Sequence, residues 1–90
     1  MDHFEKTLAR ILPIPPDVVG VKMKDEDIRV EAEVWCKPFA CAVQGCSEPR
    51  VRTESEKLKC MEAPRLYSMC VQRVTQHMKD IIQEKLAKKN

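Results

Sequence analysis

Residues 36–46 read CKPFACAVQGC and residues 60–70 read CMEAPRLYSMC, and this doubled stretch decides the fold. Each half holds two cysteines with nine residues between them, Cys36 with Cys46 and Cys60 with Cys70. On a helix, positions ten apart lie about 15 Å along the axis and within roughly 80° of each other around it, so both cysteines of a half share a face. A disulfide needs Cα atoms about 4.4 to 6.8 Å apart, which excludes a bridge inside either half. If the two halves fold back antiparallel, Cys46 meets Cys60 near the turn and Cys36 meets Cys70 at the far end.

The residues between the cysteines agree with such a seam. Cys36, Phe39, Val43 and Cys46 are spaced i, i+3, i+7, i+10, and Cys60, Ala63, Tyr67 and Cys70 repeat the spacing. Apolar middles between cysteine ends suit an antiparallel helix pair. Gly45, Pro49 and the polar run SEPRVRT supply the turn, and Thr53 followed by Glu56 forms a capping box that starts the second helix. Pro38 starts or restarts the first helix just after Cys36. Pro64 removes a bond inside the second, where a kink or a restart is expected.

Outward from the seam, both flanks carry apolar stripes. Phe4, Leu8, Ile11 and Leu12 make one on a short N-terminal helix over residues 3–12. So short a helix is marginal alone in water, so it has to dock on something. Pro13, Pro15 and Pro16 end it and favour an extended, polyproline-like path. Residues 18–34 support two readings. Ile28, Val30, Ala32 and Val34 alternate with charged residues as in a strand, whereas Ile28, Ala32, Trp35 and Phe39 make a helical stripe. The acidic run at Asp25–Asp27 favours a helix leading into Cys36. After Cys70 the stripe continues as Val71, Val74, Met78, Ile81, Ile82 and Leu86, and it outruns a partner helix half as long. A projecting stripe implies a protein partner, so Phe4, Leu8, Ile11, Val74, Met78 and Ile81 are the candidate partner interface. A tail that folds back or self-associates is the plainer reading.

Composition bounds the chemistry. Ninety residues make one small domain that buries little more than about 60% of its unfolded surface. Aromatics are confined to Phe4, Trp35, Phe39 and Tyr67, which favours a thin structure needing staples. Three organisational segments follow: an N-terminal arm (1–34), a hairpin (35–71) and a helical extension (72–90). A third of the residues are charged, yet the net charge is only +2, which argues against nucleic acid as the main ligand. Five cysteines, four in register, suggest an oxidising compartment. Asp2 and Glu5 stand where a secretory leader is basic, and no stretch reaches the length of a membrane span. The mitochondrial intermembrane space reconciles oxidised cysteines with the lack of an ordinary secretory signal.

The twin Cys-x9-Cys pattern resembles the coiled-coil-helix-coiled-coil-helix (CHCH) proteins of the mitochondrial intermembrane space over residues 36–70. That resemblance implies an all-α, disulfide-stapled antiparallel hairpin with nested bridges Cys36 to Cys70 and Cys46 to Cys60. It also implies import by oxidative trapping through the disulfide relay. The thirteen-residue spacer, the two prolines and the N-terminal arm depart from the pattern.

Cys41 lies about 140° from both Cys36 and Cys46, so it faces away from the seam and is expected to be a free thiol. The plain expectation is a small hydrophobe buried against a neighbour or the arm. A redox or metal role is the sharper alternative.

Three function classes compete. The first is a non-catalytic accessory subunit of a large mitochondrial assembly, such as a respiratory complex or the ATP synthase, clamping neighbouring subunits. The second is a soluble assembly factor, for example for cytochrome c oxidase; a mitoribosomal subunit is a related possibility. Copper delivery wants closely spaced soft ligands, and there is no Cys-Cys or Cys-x-x-Cys. The third is a thiol oxidoreductase, which needs an accessible low-pKa cysteine pair that the pattern lacks. Reduced Cys36, Cys41, Cys46 and Cys60 make a poor zinc set, because x4 spacings on a helix form no knuckle and His3 and His77 are remote. No metal or cofactor is expected. His77, Asp80 and Glu84 are expected on an exposed face.

Overall fold

The computed structural model describes residues 2–46 and 51–88, and of Asp2, His3 and Ala42 the backbone alone. It is all-α: α1 Asp2–Ile11, a single 3-10 turn Pro16–Val18, α2 Asp25–Trp35, α3 Lys37–Cys46 and α4 Glu54–Ala87. The part of the expected turn at residues 47–50 lies outside the described residues.

Each boundary has a local cause. α1 stops before Pro13, with Leu12 N–H still reaching the Leu8 carbonyl at 2.9 Å. The extended, polyproline-like path expected after α1 is met at Pro15, with φ of −59° and ψ of 128°, and gives way to a 3-10 turn at Pro16–Val18. After a cis Leu12–Pro13 bond and an extended Pro15, the chain closes a tight turn in which Val18 and Val19 N–H reach the Pro15 and Pro16 carbonyls. Residues 25–35 resolve as helix. Lys24 N–H donates to Asp27 Oδ2 at 3.0 Å, and Asp25, Glu26 and Asp27 occupy the positive end of the helix dipole.

The chain changes helix at Cys36, whose φ of −90° and ψ of 13° leave the helical range. Pro38 explains the break. In a continuous helix its ring would press on the carbonyl of residue 34, but near the start of α3 its missing N–H costs nothing. α4 opens with the expected capping box, in which Thr53 Oγ1 accepts from Glu56 N–H at 3.2 Å and Glu56 Oε1 accepts from Thr53 N–H at 3.5 Å. It then runs through Pro64 without the restart allowed for, and Pro64 lies on the exposed side.

Cys36 bonds Cys70 and Cys46 bonds Cys60, with Cα separations of 5.9 and 5.4 Å. Moving ten residues forward on α3 thus moves ten back on α4, so the two helices are antiparallel. The same register carried upstream sets Ala32 opposite Val74 and Ile28 opposite Met78, and all four are buried. α2 therefore lengthens the first limb of the hairpin, and the α4 extension does not project beyond it unaccompanied.

The N-terminal arm supplies the remaining side of the core. Phe4 meets Phe39 with ring centroids 5.4 Å apart, Glu5 pairs with Arg73, Ile14 N–H reaches His77, and Lys85 holds the carbonyls of Pro16 and Val19. The arm thus descends alongside α4, the chain turns at residues 20–24, and α2 and α3 return. One core cluster draws on all three sequence segments. Phe4, Leu8, Ile11, Val74, Met78 and Ile81, read from sequence as an interface for another protein, are at most 8% exposed. They belong to this shared core, because two stripes of similar length on one chain cover each other.

Candidate functional site

Among the described residues, the chemistry-bearing side chains are spread along the molecule. Four cysteines are consumed by the bridges. Cys36 and Cys70 are fully buried at mid-length, whereas Cys46 and Cys60 are half-buried next to the turn. Cys41 is a free thiol, as its azimuth implied, but it is exposed on α3 and not packed against the arm. No group of three or more His, Cys, Asp or Glu among the described residues is placed to hold a metal ion. Asp80 accepts from Gln76 at 3.0 Å and Glu84 pairs with Lys88 at 3.5 Å, both on the exposed face expected of them. An open depression of about 200 Å³ on α4 is lined by Met69, Gln72, Arg73 and Gln76. Its guanidinium is paired with Glu5 at 3.6 Å, so the lining offers amide and thioether contacts but no nucleophile or acid–base couple.

His77 departs from its expected place on the surface. It is partly buried and its Nε2 accepts from Ile14 N–H at 3.2 Å, 63 residues away in sequence. Lys85, two turns later, donates from Nζ to the Pro16 carbonyl at 2.6 Å and also to that of Val19. Sequence reasoning missed both clasps. The available signal was the row Arg73, His77, Lys85 at multiples of four residues, which lines one side of α4 along the arm.

The apolar side chains left outside the core form different sets from those first considered. Val30 and Val34 stand 60% and 59% exposed on α2, while Leu58 and Met61 stand 62% and 77% exposed near the start of α4. Their origin is geometric. In a helix Ile28 and Ala32 lie within about 40° of each other, as do Val30 and Val34, and the two pairs point in nearly opposite directions. The alternation that looked like a strand is therefore a helix with two apolar edges, one buried and one free. On α2 the free edge is flanked by the Arg29–Glu33 ion pair at 3.4 Å.

Comparison with protein-family models, with curated proteins and with solved structures finds no match to this chain. What stands is a helical chain in which two disulfides join two cysteine pairs, each pair ten positions apart along its own segment, compatible with a twin Cys-x9-Cys hairpin. No helix of the described residues is long and apolar enough to cross a membrane.

Proposed function

We propose that the chain is a twin Cys-x9-Cys protein of the mitochondrial intermembrane space. There it serves as a non-catalytic accessory subunit peripheral to an inner-membrane assembly, a respiratory chain complex or the ATP synthase. The observation that carries the reading is the nested pair of disulfides. Both cysteines of each Cys-x9-Cys pair are spent on stapling, the bridges lock one register, and folding then depends on an oxidising compartment. Import through the disulfide relay follows as part of the same proposal. The first segment, with Ala40, Cys41, Ala42, Val43 and Gln44 inside it, is also similar to the first helix of Cx9C motif-containing protein 4.

The docking surface in this reading is the outer edge of α2 with the start of α4, where Val30, Val34, Leu58 and Met61 are uncovered. Paired valines one turn apart on a helix anchored at its C-terminal end by the Cys36–Cys70 bridge suit a clamp between neighbouring subunits. A second reading, a soluble assembly factor of the same compartment, is favoured by the way arm and extension cover each other. That closure lets the chain stand alone between encounters.

Native-gel complexome profiling of the organelle tests the proposal. Co-migration with an inner-membrane complex, lost in Val30→Ser/Val34→Ser while the oxidised fold persists, is the expected result. Migration as a free small species supports the assembly factor, and a protein absent from mitochondria overturns both.

A further inference from the structure

The arm offers α4 very few backbone donors. Pro13, Pro15 and Pro16 have no N–H, so Ile14 carries the only amide proton of residues 13–16. Ile14 is 1% exposed, and that N–H donates to His77 Nε2. An imidazole nitrogen accepts only while it is unprotonated, so the contact requires the neutral ring with its proton on Nδ1. In the imidazolium both nitrogens are donors. The Ile14 N–H would then face another N–H and be left buried without an acceptor, which is the expensive way to lose a hydrogen bond.

The charges around the ring are otherwise engaged. On α4, Arg73 one turn before pairs with Glu5 of α1, Asp80 one turn after accepts from Gln76, Glu84 pairs with Lys88, and Lys85 is spent on the arm carbonyls. On α2, Asp27 caps its own helix, Glu31 accepts from Trp35 and Glu33 pairs with Arg29, while Asp25 and Glu26 are exposed. Arg10, Asp17 and Lys37, from α1, the 3-10 turn and α3, are exposed as well. No described carboxylate bonds His77 to hold a protonated ring in place.

We propose that His77 is a proton-operated latch for the N-terminal arm. With the ring neutral the arm is strapped down at Ile14; protonation converts the acceptor into a donor, loosens the arm, and raises the fraction of molecules in which Val74, Met78 and Ile81 are uncovered. The disulfides stay closed, so the hairpin survives the release. Arm docking and the protonated ring disfavour one another, which makes exposure of an apolar stripe a function of pH.

Hydrogen exchange and NMR on the oxidised, full-length protein test the latch. At about pH 7.5 the ring ¹⁵N shifts should report the Nδ1–H tautomer. Between about pH 7.5 and about pH 5.5, amide protection across residues 8–19, corrected for intrinsic exchange, should fall roughly tenfold while that of residues 60–74 holds. The His77 ring and the Ile14 and Val19 resonances should titrate with one midpoint, with His3→Asn used to assign the ring. In His77→Gln the amide oxygen accepts at every pH, so arm protection should become independent of pH. A protonated Nε2 at about pH 7.5, arm resonances that ignore the His77 titration, or an unchanged pH response in His77→Gln would each overturn the proposal.

Discussion

Met78→Ala is the sharpest probe of whether the two apolar stripes are core or interface. Met78 has no exposed surface, and its cluster includes Ile14 and Val19 from the arm, Ile28 from α2, and Val74 and Ile81 from its own helix. Truncating a buried Met to Ala costs about 2–5 kcal/mol, the larger values belonging to sites that cannot collapse. This body is only 16 Å across its thinnest direction, so the surrounding side chains can partly close the gap, and about 2–3 kcal/mol is expected. Set against a total stability of about 5–15 kcal/mol, that is a large fraction. At roughly 4–8 °C per kcal/mol for a domain of this size, the thermal midpoint should fall by about 8–24 °C. The assay is thermal unfolding of the oxidised, isolated protein followed by far-ultraviolet circular dichroism. Val34→Ser, at a position 59% exposed, is the control and should stay within about 0.5 kcal/mol of wild type. A Met78→Ala midpoint within about 2 °C of wild type would refute the intrachain core and return the stripe to an outside partner.

Two further predictions address the ends of the hairpin. The Cys46–Cys60 bridge closes a loop with a sequence separation of 14, so Cys46→Ser/Cys60→Ser removes about 3 kcal/mol of constraint on the unfolded chain, and reductant, which also opens Cys36–Cys70, should destabilise at least as much. An unchanged helical signal and midpoint under reductant would count against that role. Thr53→Ala removes the side-chain acceptor of the α4 cap and should cost about 1 kcal/mol. The loss should appear as faster exchange of the Glu56 and Lys57 amides, and equal rates in the two proteins would mean that the cap is idle.

How much of this structure the sequence disclosed depended on the range of the interaction. The hairpin was legible because the ten-residue cysteine register is a local helical constraint, and disulfide geometry left few ways to satisfy it. The Thr53–Glu56 box and the helix break beside Pro38 were legible for the same reason, each set by the neighbouring few residues. Residues 18–34 were ambiguous because Ile28, Val30, Ala32 and Val34 satisfy a period of two and, taken in pairs, a helical period as well. Burial of one pair and exposure of the other settles it, and burial is a tertiary property. The His77–Ile14 contact spans 63 residues and rests on one backbone N–H, so the row Arg73, His77, Lys85 marks a side of α4 without naming its partner on the arm.

The error over the partner interface has a physical lesson. Each stripe, read alone, was too apolar to leave in water, and each was assigned an outside protein. Yet two such stripes on one chain meet without the translational and rotational cost of association, at an effective concentration on the order of millimolar for a short connection. An intrachain solution therefore takes precedence whenever the connecting segment can reach. Here Gly20–Lys24 and α2 return the chain from the Lys85 end to the seam, and the reach is satisfied. Apolar surface for a partner is then what remains after that closure. On this molecule that remainder includes Val30 and Val34 on α2 and Leu58 and Met61 near the start of α4, with Val18, Val51 and Leu86 exposed elsewhere.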